Sequence, residues 1–451
     1  MLTDSGIATG GPGPEVYDVV GIGYGPANLA LAIALDEFPE PPRALFLERE
    51  VEPRWQQDML LPGSDIQHNP IRDLVTLRNP RSRYSFINYL FENDRLMRHL
   101  NLPTAFPLRT EYTAYVDWVR RTLPADVRYG VAVTDIAFAD HTPGLYTVTL
   151  DTGEAVLART ISLGPGRTPH IPPEFQGADP ARVFHLTRYL RSVAGLLADQ
   201  PRRFAVVGGS QSAVELALDL NGRFPDAEID VVTRTWSLRA KDHSPFSEEI
   251  YFPSFTDYYH AATEEQRRQL DDFTRPTNYS AADLDVLERL YVLMYEQELL
   301  GRQRIRVHGH TRIDEVLDDG REVTLALANR VTGAVTKLTA DVVILATGFR
   351  DMGKGPQQEP HHPLLNSVAE HFAGTPSGHL DVNADYSLRP QLPGPGPIFL
   401  NGLCESTHGI GDAGSFSLLS IRARTIATSL AAHLADPRLA HLENRTAHHA
   451  V

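Results

Sequence analysis

A strand, a glycine turn and a helix near the N-terminus constrain the fold of this chain more than any other segment. The β-branched run from Asp18 leads into Gly21, Gly23 and Gly25, and an Ala- and Leu-rich helix starts at Pro26. Glycines let a pyrophosphate approach the backbone, and a helix N-terminus offers free N–H groups and the positive end of its dipole. The segment therefore predicts a dinucleotide-binding βαβ unit.

Two further residues bear on this first unit. Pro26 stands where G-x-G-x-x-G has its third glycine, and proline is tolerated at the first helical position because the N–H that it lacks would be unpaired there. The next predicted strand ends at Glu48, near the position at which an acidic side chain binds the adenosine ribose. Both observations agree with a dinucleotide site.

A second strand, glycine turn and helix start at Arg203, with Gly208 and Ser210 in the turn. The strand after this helix ends in Arg234, whereas the corresponding strand of the first unit ends in Glu48. An acidic residue at this position favours a free ribose 2′-hydroxyl, and an arginine accommodates a 2′-phosphate. The first site therefore predicts FAD and the second predicts NADPH. A hydrolase nucleophile elbow fits the second turn poorly, because its last glycine is missing.

Length and charge exclude several classes of protein. A chain of 451 residues predicts two or three domains, and a formal net charge of -15 argues against nucleic acid or an anionic membrane as a partner. The single cysteine, Cys404, excludes a disulfide framework, and the histidine pairs have no companions for a metal site. The sequence has neither a membrane-length apolar run nor a secretory signal pattern, so we expect a cytoplasmic protein.

The order of these segments predicts three domains. A polar, aromatic stretch interrupts the second nucleotide unit and ends in a predicted helix over 281–300. We expect an FAD-binding domain of residues 1–200 and 341–451, an NADPH-binding domain of residues 201–240 and 301–340, and a substrate-binding insert of residues 241–300.

These segments together resemble the flavin-dependent N-hydroxylating monooxygenases, the microbial ornithine and lysine N-hydroxylases of siderophore biosynthesis. The resemblance extends from about residue 17 to residue 426, and the combination of motifs and their order make it specific. The matching segments are 21–29, 55–60, 72–76, 79–82, 208–213, 277–279, 346–349, 407–409 and 418–420.

The resemblance implies a fold and a reaction. The fold is α/β, with two Rossmann-like dinucleotide-binding domains, for FAD and NADPH, and a small, mostly helical substrate domain inserted in the second. In the reaction, NADPH reduces FAD, and O2 forms a C4a-hydroperoxyflavin that transfers its distal oxygen to a neutral primary amine. The resemblance also implies a homo-oligomer, a dimer or a tetramer.

Site residues follow from the same matching. Gln67 corresponds to a catalytic glutamine near flavin and NADP⁺, and Asn278 to an asparagine that reaches NADP⁺ and the substrate α-amino group. Arg72 stands where the family has a lysine that holds the substrate carboxylate, and Ser420 lies near the substrate. The expected cofactor-binding residues are Gly21, Gly23, Gly25, Pro26, Asn28, Glu48, Trp55, Gln67, Gly208, Ser210, Gln211, Ser212, Arg234, Thr347, Gly348, His408, Gly409 and Leu418.

Two departures from the family pattern leave the substrate open. Arg72 can still bind a carboxylate but is larger and planar, which fits an amino acid of L-ornithine or L-lysine type. Glu248 replaces an asparagine, and a carboxylate there fits the second ammonium of a diamine such as putrescine or cadaverine. Another amino acid also stays open.

Two further classes of protein are alternatives. A Baeyer–Villiger or S-oxidising flavin monooxygenase would share both cofactors, but the charged insert argues against an apolar ketone. A non-catalytic flavin-binding scaffold has no need of the second nucleotide site.

Overall fold

The structure is a computed structural model, and it describes residues 15–140, 144–392, 394–412 and 415–436. The predicted first domain also includes residues 1–14 and 437–451, which lie outside the described residues. The helices are α1 (Pro26–Asp36), α2 (Phe86–Glu92), α3 (Leu96–His99), α4 (Arg109–Thr122), α5 (Tyr189–Leu196), α6 (Gln211–Arg223), α7 (Pro253–Ala261), α8 (Glu264–Thr274), α9 (Leu284–Leu299), α10 (Glu405–His408) and α11 (Leu419–Leu434).

The strands form two main sheets and two small ones. They are β1 (Val16–Ile22), β2 (Ala44–Glu48), β3 (Asp126–Tyr129), β4 (Val133–Phe138), β5 (Tyr146–Leu150), β6 (Ala155–Leu163), β7 (Val183–His185), β8 (Arg203–Val207), β9 (Glu228–Val232), β10 (Ile305–His308), β11 (Thr311–Asp318), β12 (Val323–Asn329), β13 (Val335–Ala340), β14 (Val342–Leu345), β15 (Asp351–Met352), β16 (Gln358–Glu359) and β17 (Ile398–Leu400).

The first sheet has seven strands in the order β3-β2-β1-β6-β5-β4, and β17 pairs with β6. Strands β1, β2, β3, β6 and β17 run parallel, and β4 and β5 form an antiparallel edge. Helices α1 and α11 pack together beside β1. The apolar run in β1 is buried because parallel sheets are covered on both faces. This sheet is the predicted first nucleotide unit.

The second sheet has five parallel strands in the order β10-β9-β8-β14-β7. Apolar residues of α5, α6 and α9 cover one face. The antiparallel sheet β11-β12-β13 covers the other face, so that Leu325 and Val343 share one apolar cluster. The prediction of two Rossmann-like domains is confirmed.

Two predicted domain boundaries do not coincide with the second sheet. Strand β7 belongs to this sheet although it precedes residue 201, and β14 lies between β8 and β7 although it follows residue 340. Each strand is only three or four residues long, and their pairing partners are distant in sequence. No local pattern assigns such short strands to one sheet or the other.

The helical part of the insert is also smaller than predicted. Helix α9 packs on α6, and its Val286 and Leu290 belong to the core of the second domain. Helices α7 and α8 form the remaining helical insert, and α7 packs against α10 of the first domain. The side chain of His260 on α7 lies 2.9 Å from the carbonyl oxygen of Val382. The insert therefore joins the two nucleotide domains.

A buried ion pair also connects the two domains. Arg109 on α4 binds Glu215 on α6 through two nitrogen–oxygen contacts of 2.8 and 3.0 Å. Bidentate pairs of this kind fix geometry as well as charge. Within the described ranges, no helix is long and apolar enough to span a membrane.

Candidate active site

The first glycine turn is shaped for close approach of a ligand. A Cβ on Gly21 would lie 2.3 Å from Cδ1 of Phe46, and a Cβ on Gly23, at φ +78°, would lie 2.6 Å from the carbonyl oxygen of Gly164. A Cβ on Gly25 would meet no atom of the described residues within 4 Å. Helix α1 starts at Pro26 without a side-chain cap from Gly25. Open space at an uncapped helix N-terminus fits a pyrophosphate.

The side chain of Asn28 holds the first glycine turn in place. Its amide nitrogen donates to the carbonyl oxygens of Ile22 and Gly23, at 3.0 and 2.7 Å. Its amide oxygen accepts from Ser162 Oγ and Asn401 Nδ2, at 2.7 and 3.0 Å. The side chain is fully buried. Because these bonds use both ends of the amide, we assign the side chain to shaping the turn rather than to contacting a cofactor.

Glu48 lies at the carboxyl end of β2, next to this turn. One carboxylate oxygen accepts the backbone N–H of Tyr24 at 2.8 Å, and the other accepts that of Glu50 at 3.0 Å. Only 8% of the residue is exposed. A carboxylate fixed in this way beside a dinucleotide turn fits the 2′-hydroxyl of an adenosine ribose.

The second turn repeats this arrangement. Gly208 has φ +154°, and a Cβ there would lie 2.4 Å from the carbonyl oxygen of Ala346. Ser210 precedes α6, and its side chain forms no capping hydrogen bond. The side chain of Gln211 instead donates to Glu215 at 3.0 Å and accepts the N–H of Asp283 at 2.7 Å. We therefore assign Gln211 to fixing the turn, and the structure gives no contact that defines Ser212.

Arg234 follows β9 and lies among other cations. Burial and the nearby guanidinium groups of Arg275 and Arg330 lower the pKa of Arg234. Arg330 also donates to the carbonyl oxygen of Arg234 at 3.4 Å. Three guanidinium groups at one position repel each other unless an anion joins them. This cluster fits the 2′-phosphate that distinguishes NADPH from NADH.

Arg72 and Glu248, which are both predicted to bind substrate, contact each other. Arg72 Nη1 lies 3.4 Å from Glu248 Oε2 and donates to Ser417 Oγ at 3.2 Å. The guanidinium group of Arg72 lies over the ring of Tyr251, 5.6 Å from its centroid. The side chains of Arg72 and Glu248 are 22% and 28% exposed. A cation and an anion thus face the same partly open space.

A chain of polar contacts connects this pair to Gln67. Glu248 lies 3.3 Å from His243 Nδ1, and His243 Nε2 lies 2.8 Å from Asp283 Oδ1. The same Asp283 oxygen lies 3.2 Å from Lys241 Nζ, which donates to Gln67 Oε1 at 2.5 Å. Positions 67 and 248, predicted to be catalytic and substrate-binding, are therefore connected through buried Lys241 and Asp283 and through the more exposed His243.

Asn278 is half-buried between two anchored residues. Thr277 donates to the carbonyl oxygen of Thr274 at 2.6 Å, and the Tyr279 hydroxyl donates to Glu405 at 2.5 Å. Arg167 contacts Tyr279, Glu405 and Asp351 at once. Burial raises the pKa of the Glu405 carboxyl, and Arg167 opposes that shift.

Ser420 lies in the first turn of α11, close in sequence to the Arg72 partner Ser417. It is buried, and its hydroxyl has no hydrogen-bond partner among the described residues. A buried polar atom without a partner is costly, so Ser420 fits a residue that bonds to a ligand.

The C-terminal loop contains His408 and Gly409 and contacts Trp55. Phe416 stacks on His68 at 5.3 Å and meets the edge of Trp55 at 5.0 Å. His408 is buried and stacks on Tyr386 at 4.1 Å, and its Nε2 has no hydrogen-bond partner among the described residues. Gly409 allows Tyr259 of α7 to approach, since a Cβ there would lie 3.3 Å from its ring.

The last three predicted cofactor residues are Thr347 and Gly348, which follow β14, and Leu418, which precedes α11. Thr347 donates to the carbonyl oxygen of His170 at 2.5 Å, and the Gly348 carbonyl accepts the His170 N–H at 2.9 Å. These bonds fix the segment that connects β14 to the first domain. Leu418 is buried next to Gly411.

Several residues of this site were not predicted. Lys241, His243, Tyr251, Ser417 and Asp283 carry no recognisable motif. For the four residues of the insert, the sequence signal was its polar and aromatic composition, which indicates a functional segment but not which side chains meet. Ser417 directly precedes the matched segment 418–420.

Buried histidines give a prediction about stability. Burial lowers the pKa of each of four histidines to about 4: His68, His185, His362 and His408. Between pH 6.5 and 4 these four histidines bind protons in the unfolded chain but not in the folded one, so their contribution to the free energy of unfolding falls as the pH falls through this range. Burial raises the pKa of the Asp65 and Glu405 carboxyls, and these two groups act in the opposite direction. We therefore compare variants: from pH 7 to pH 5, the urea midpoint of His408→Gln should fall less, or rise more, than that of the wild-type chain. Equal pH dependence in that variant would contradict the assignment.

Comparisons with known proteins agree with this geometry. A family model described as L-lysine 6-monooxygenase/L-ornithine 5-monooxygenase matches residues 15–351. The L-ornithine N(5)-monooxygenase of Pseudomonas aeruginosa is 34% identical over 431 residues, covering 93% of this chain and 94% of the relative.

Two solved structures share the whole fold. An ornithine N-hydroxylase of Kutzneria sp. 744, in a structure with reduced FAD, NADP⁺ and L-ornithine, is 31% identical, with a TM-score of 0.86 over 93% of this chain and 100% of that chain. An L-lysine 6-monooxygenase of Pseudomonas syringae is 31% identical, with a TM-score of 0.83 and the same coverage. The chain therefore belongs to the L-lysine 6-monooxygenase/L-ornithine 5-monooxygenase family of flavin-dependent N-hydroxylating monooxygenases.

Proposed function

We propose that this enzyme uses FAD, NADPH and O2 to hydroxylate the terminal primary amine of an α-amino acid of L-ornithine or L-lysine type. The product would serve the biosynthesis of a siderophore or another natural product. The observation that carries the choice of substrate is the Arg72–Glu248 pair at 3.4 Å.

The charges of this pair complement the head group of an α-amino acid. Arg72 offers a guanidinium group to the α-carboxylate, and Glu248 offers a carboxylate to the α-ammonium. Inserting this zwitterion between the two side chains replaces one ion pair by two and leaves neither charge unpaired. A diamine brings only a cation, so it would draw Glu248 away from Arg72 and leave a half-buried guanidinium group with no anionic partner beside Ser417 and the Tyr251 ring.

The two glycine turns would hold the cofactors. When bound, NADPH would supply the hydride that reduces FAD, and reduced FAD would activate O2. Residues of this chain orient the reactants: Glu48 binds the FAD ribose, Arg234 the NADPH phosphate, Asn278 the nicotinamide nucleotide and substrate, and Ser420 the substrate. The amine must lose its proton before it reacts.

Product analysis with the purified enzyme tests this function. We expect bound flavin after addition of FAD, and hydroxylamine formation that needs NADPH and a primary amine. The amines to compare are L-ornithine, L-lysine, L-aspartate, putrescine and cadaverine. Oxidation of a ketone or a sulfide without N-oxidation would favour the Baeyer–Villiger or S-oxidising alternative. Stoichiometric peroxide with every amine would contradict the proposal.

The diamine alternative has one observation in its favour. Glu248 also lies 3.3 Å from His243, so its carboxylate has a second partner besides Arg72. It could therefore turn from Arg72 to the ammonium group of a diamine and still be held in place. A preference for putrescine or cadaverine in the same assay would support it.

Arg234 gives a prediction about the second cofactor. We expect Arg234→Ala to raise the KM for NADPH about 10- to 100-fold, since a hydrogen bond to a charged group contributes about 1.5–3 kcal/mol. The KM for NADH, which lacks the 2′-phosphate, should change little. Steady-state NADPH and NADH oxidation measure both values, and an equal change for the two nucleotides would contradict the assignment.

We also propose that the enzyme is a cytoplasmic homo-oligomer. Support comes from α9, which exposes a stripe of large apolar side chains: Leu284, Tyr291, Val292, Tyr295 and Leu299. Exposed apolar surface of this extent is typical of interaction surfaces. Light scattering of the purified protein tests the assembly, and a monomer at micromolar concentration would contradict it.

A further inference from the structure

Lys241 is a buried lysine at the boundary between the two nucleotide domains. Its side chain is 3% exposed, and its ammonium group lies 2.5 Å from Gln67 Oε1 and 3.2 Å from Asp283 Oδ1. Lysine is almost never this buried unless it is paired. Gln67 belongs to the first domain, whereas Lys241 and Asp283 flank the helical insert of the second. The ammonium group therefore connects two domains.

Backbone bonds hold Lys241 in place. Its N–H donates to the carbonyl oxygen of Ala282 at 3.0 Å, and the Ala282 N–H donates to the carbonyl oxygen of Arg239 at 2.8 Å. These bonds close the base of the helical insert and place Lys241 beside Asp283. The backbone partners of Lys241 and its acidic partner Asp283 thus belong to the second domain, whereas Gln67 belongs to the first.

Gln67 has a constrained backbone and a side chain that can face two ways. Its φ is +59°, and its N–H donates to Asp65 Oδ1 at 3.1 Å. A glutamine amide has one oxygen that accepts and one nitrogen that donates, and an ammonium group only donates. Contact with Lys241 therefore fixes the amide oxygen toward the lysine and leaves both N–H groups directed elsewhere.

Asp283 extends this connection to the NADPH turn. Its backbone N–H donates to the side chain of Gln211, the first residue of α6, at 2.7 Å. Through Lys241 and Asp283, Gln67 is therefore connected to the helix that starts at the second glycine turn. A displacement of Lys241 would change the orientation of Gln67 and its spacing from that turn.

We propose that Lys241 is a positioning residue that orients the Gln67 amide toward the flavin and nicotinamide and thereby sets the rate of hydride transfer. This inference rests on the proposed function and on the position of Gln67 near flavin and NADP⁺ that the family resemblance implies. Lys241 itself touches no reacting atom.

The rate of flavin reduction by NADPH without oxygen tests the inference, because this step needs no amine. We expect Lys241→Met to bind FAD normally and to be reduced about 10- to 100-fold more slowly, the loss that a small misplacement of reacting groups causes. Gln67→Ala should be slowed to a similar extent. The double variant should be no slower than Gln67→Ala alone, because Lys241 acts through Gln67. Lys337→Met, on the exposed edge of β13, is the matched control.

Reduction of Lys241→Met at the wild-type rate, or full additivity of the two substitutions, would overturn the inference. If Lys241→Met does not fold, the rate of flavin reduction is measured for Gln67→Glu instead. This variant keeps the oxygen that faces Lys241 and removes the N–H donors. We expect Gln67→Glu to melt at or above the wild-type temperature and to be reduced at least tenfold more slowly; a wild-type rate would again overturn the inference. Failure to form any hydroxylamine would contradict the proposed function without affecting these reduction rates.

Discussion

Substitution of Arg72 with alanine is expected to lower kcat/KM for L-ornithine or L-lysine about 100-fold, mostly through KM. The guanidinium group would lose a charge-assisted contact to the α-carboxylate that contributes about 1.5–3 kcal/mol, and each 1.4 kcal/mol corresponds to a factor of about ten. Glu248 and His243 would stay in place, since they contact each other at 3.3 Å. Turnover of putrescine or cadaverine should therefore be unchanged or increased.

Three variants control this experiment. Arg72→Lys keeps the charge but not the bidentate fork, so we expect a loss of about tenfold or less. Arg312→Ala removes an arginine that pairs with Asp314 on the exposed part of β11, and it should leave kcat/KM unchanged. Glu248→Gln should weaken binding of the α-ammonium while keeping the volume of the side chain. An Arg72→Ala enzyme with wild-type kcat/KM for amino acids would refute the assigned role of Arg72.

Substitution of Gly208 with alanine is expected to abolish reduction by NADPH while leaving FAD bound. The new Cβ would lie 2.4 Å from the carbonyl oxygen of Ala346, and this backbone atom cannot rotate away. The turn must move, and a misplacement of about 1 Å costs about 100-fold in rate. We expect the flavin spectrum to be normal, reduction by dithionite to be complete, and the rate of reduction by NADPH to fall at least 100-fold.

Gly222→Ala is the matched control for this variant. Gly222 lies in α6, the helix that follows the Gly208 turn, and a Cβ there would meet no atom of the described residues within 4 Å. Alanine is the better helix former, so this enzyme should be reduced normally and be slightly more stable. Loss of FAD from Gly208→Ala would show that the second turn supports the first site, contrary to the domain assignment.

The sequence predicts the nucleotide domains well because their signals are local. Each site is a strand, a glycine turn and a helix within about 30 residues. The short strands β7 and β14 could not be assigned from sequence, because their partners lie far away along the chain. Helix α9 was assigned to the insert because it follows the insert directly, and only its contacts with α6 show that it completes the second domain.

In the candidate site, too, the sequence predicts some features and not others. Family matching predicted that Arg72 and Glu248 share the substrate pocket, and they meet in the structure. It did not predict that Asn28 shapes the turn, because the sequence of the motif is the same whether this amide binds a cofactor or the backbone. The contact of Lys241 with Gln67 could not be predicted, since the two residues are 174 positions apart and belong to no shared motif.

The ratio of kcat/KM for L-ornithine to kcat/KM for putrescine tests the central claim most directly, because the two amines differ only in the carboxylate that Arg72 would bind. The rate of hydroxylamine formation should be measured for both with wild-type enzyme, FAD and saturating NADPH, and for L-lysine and cadaverine in the same way. We predict that the amino acid of at least one pair is preferred about 100-fold. Equal values, or a preference for the diamine in both pairs, would contradict the assignment of the Arg72–Glu248 pair to the head group of an α-amino acid.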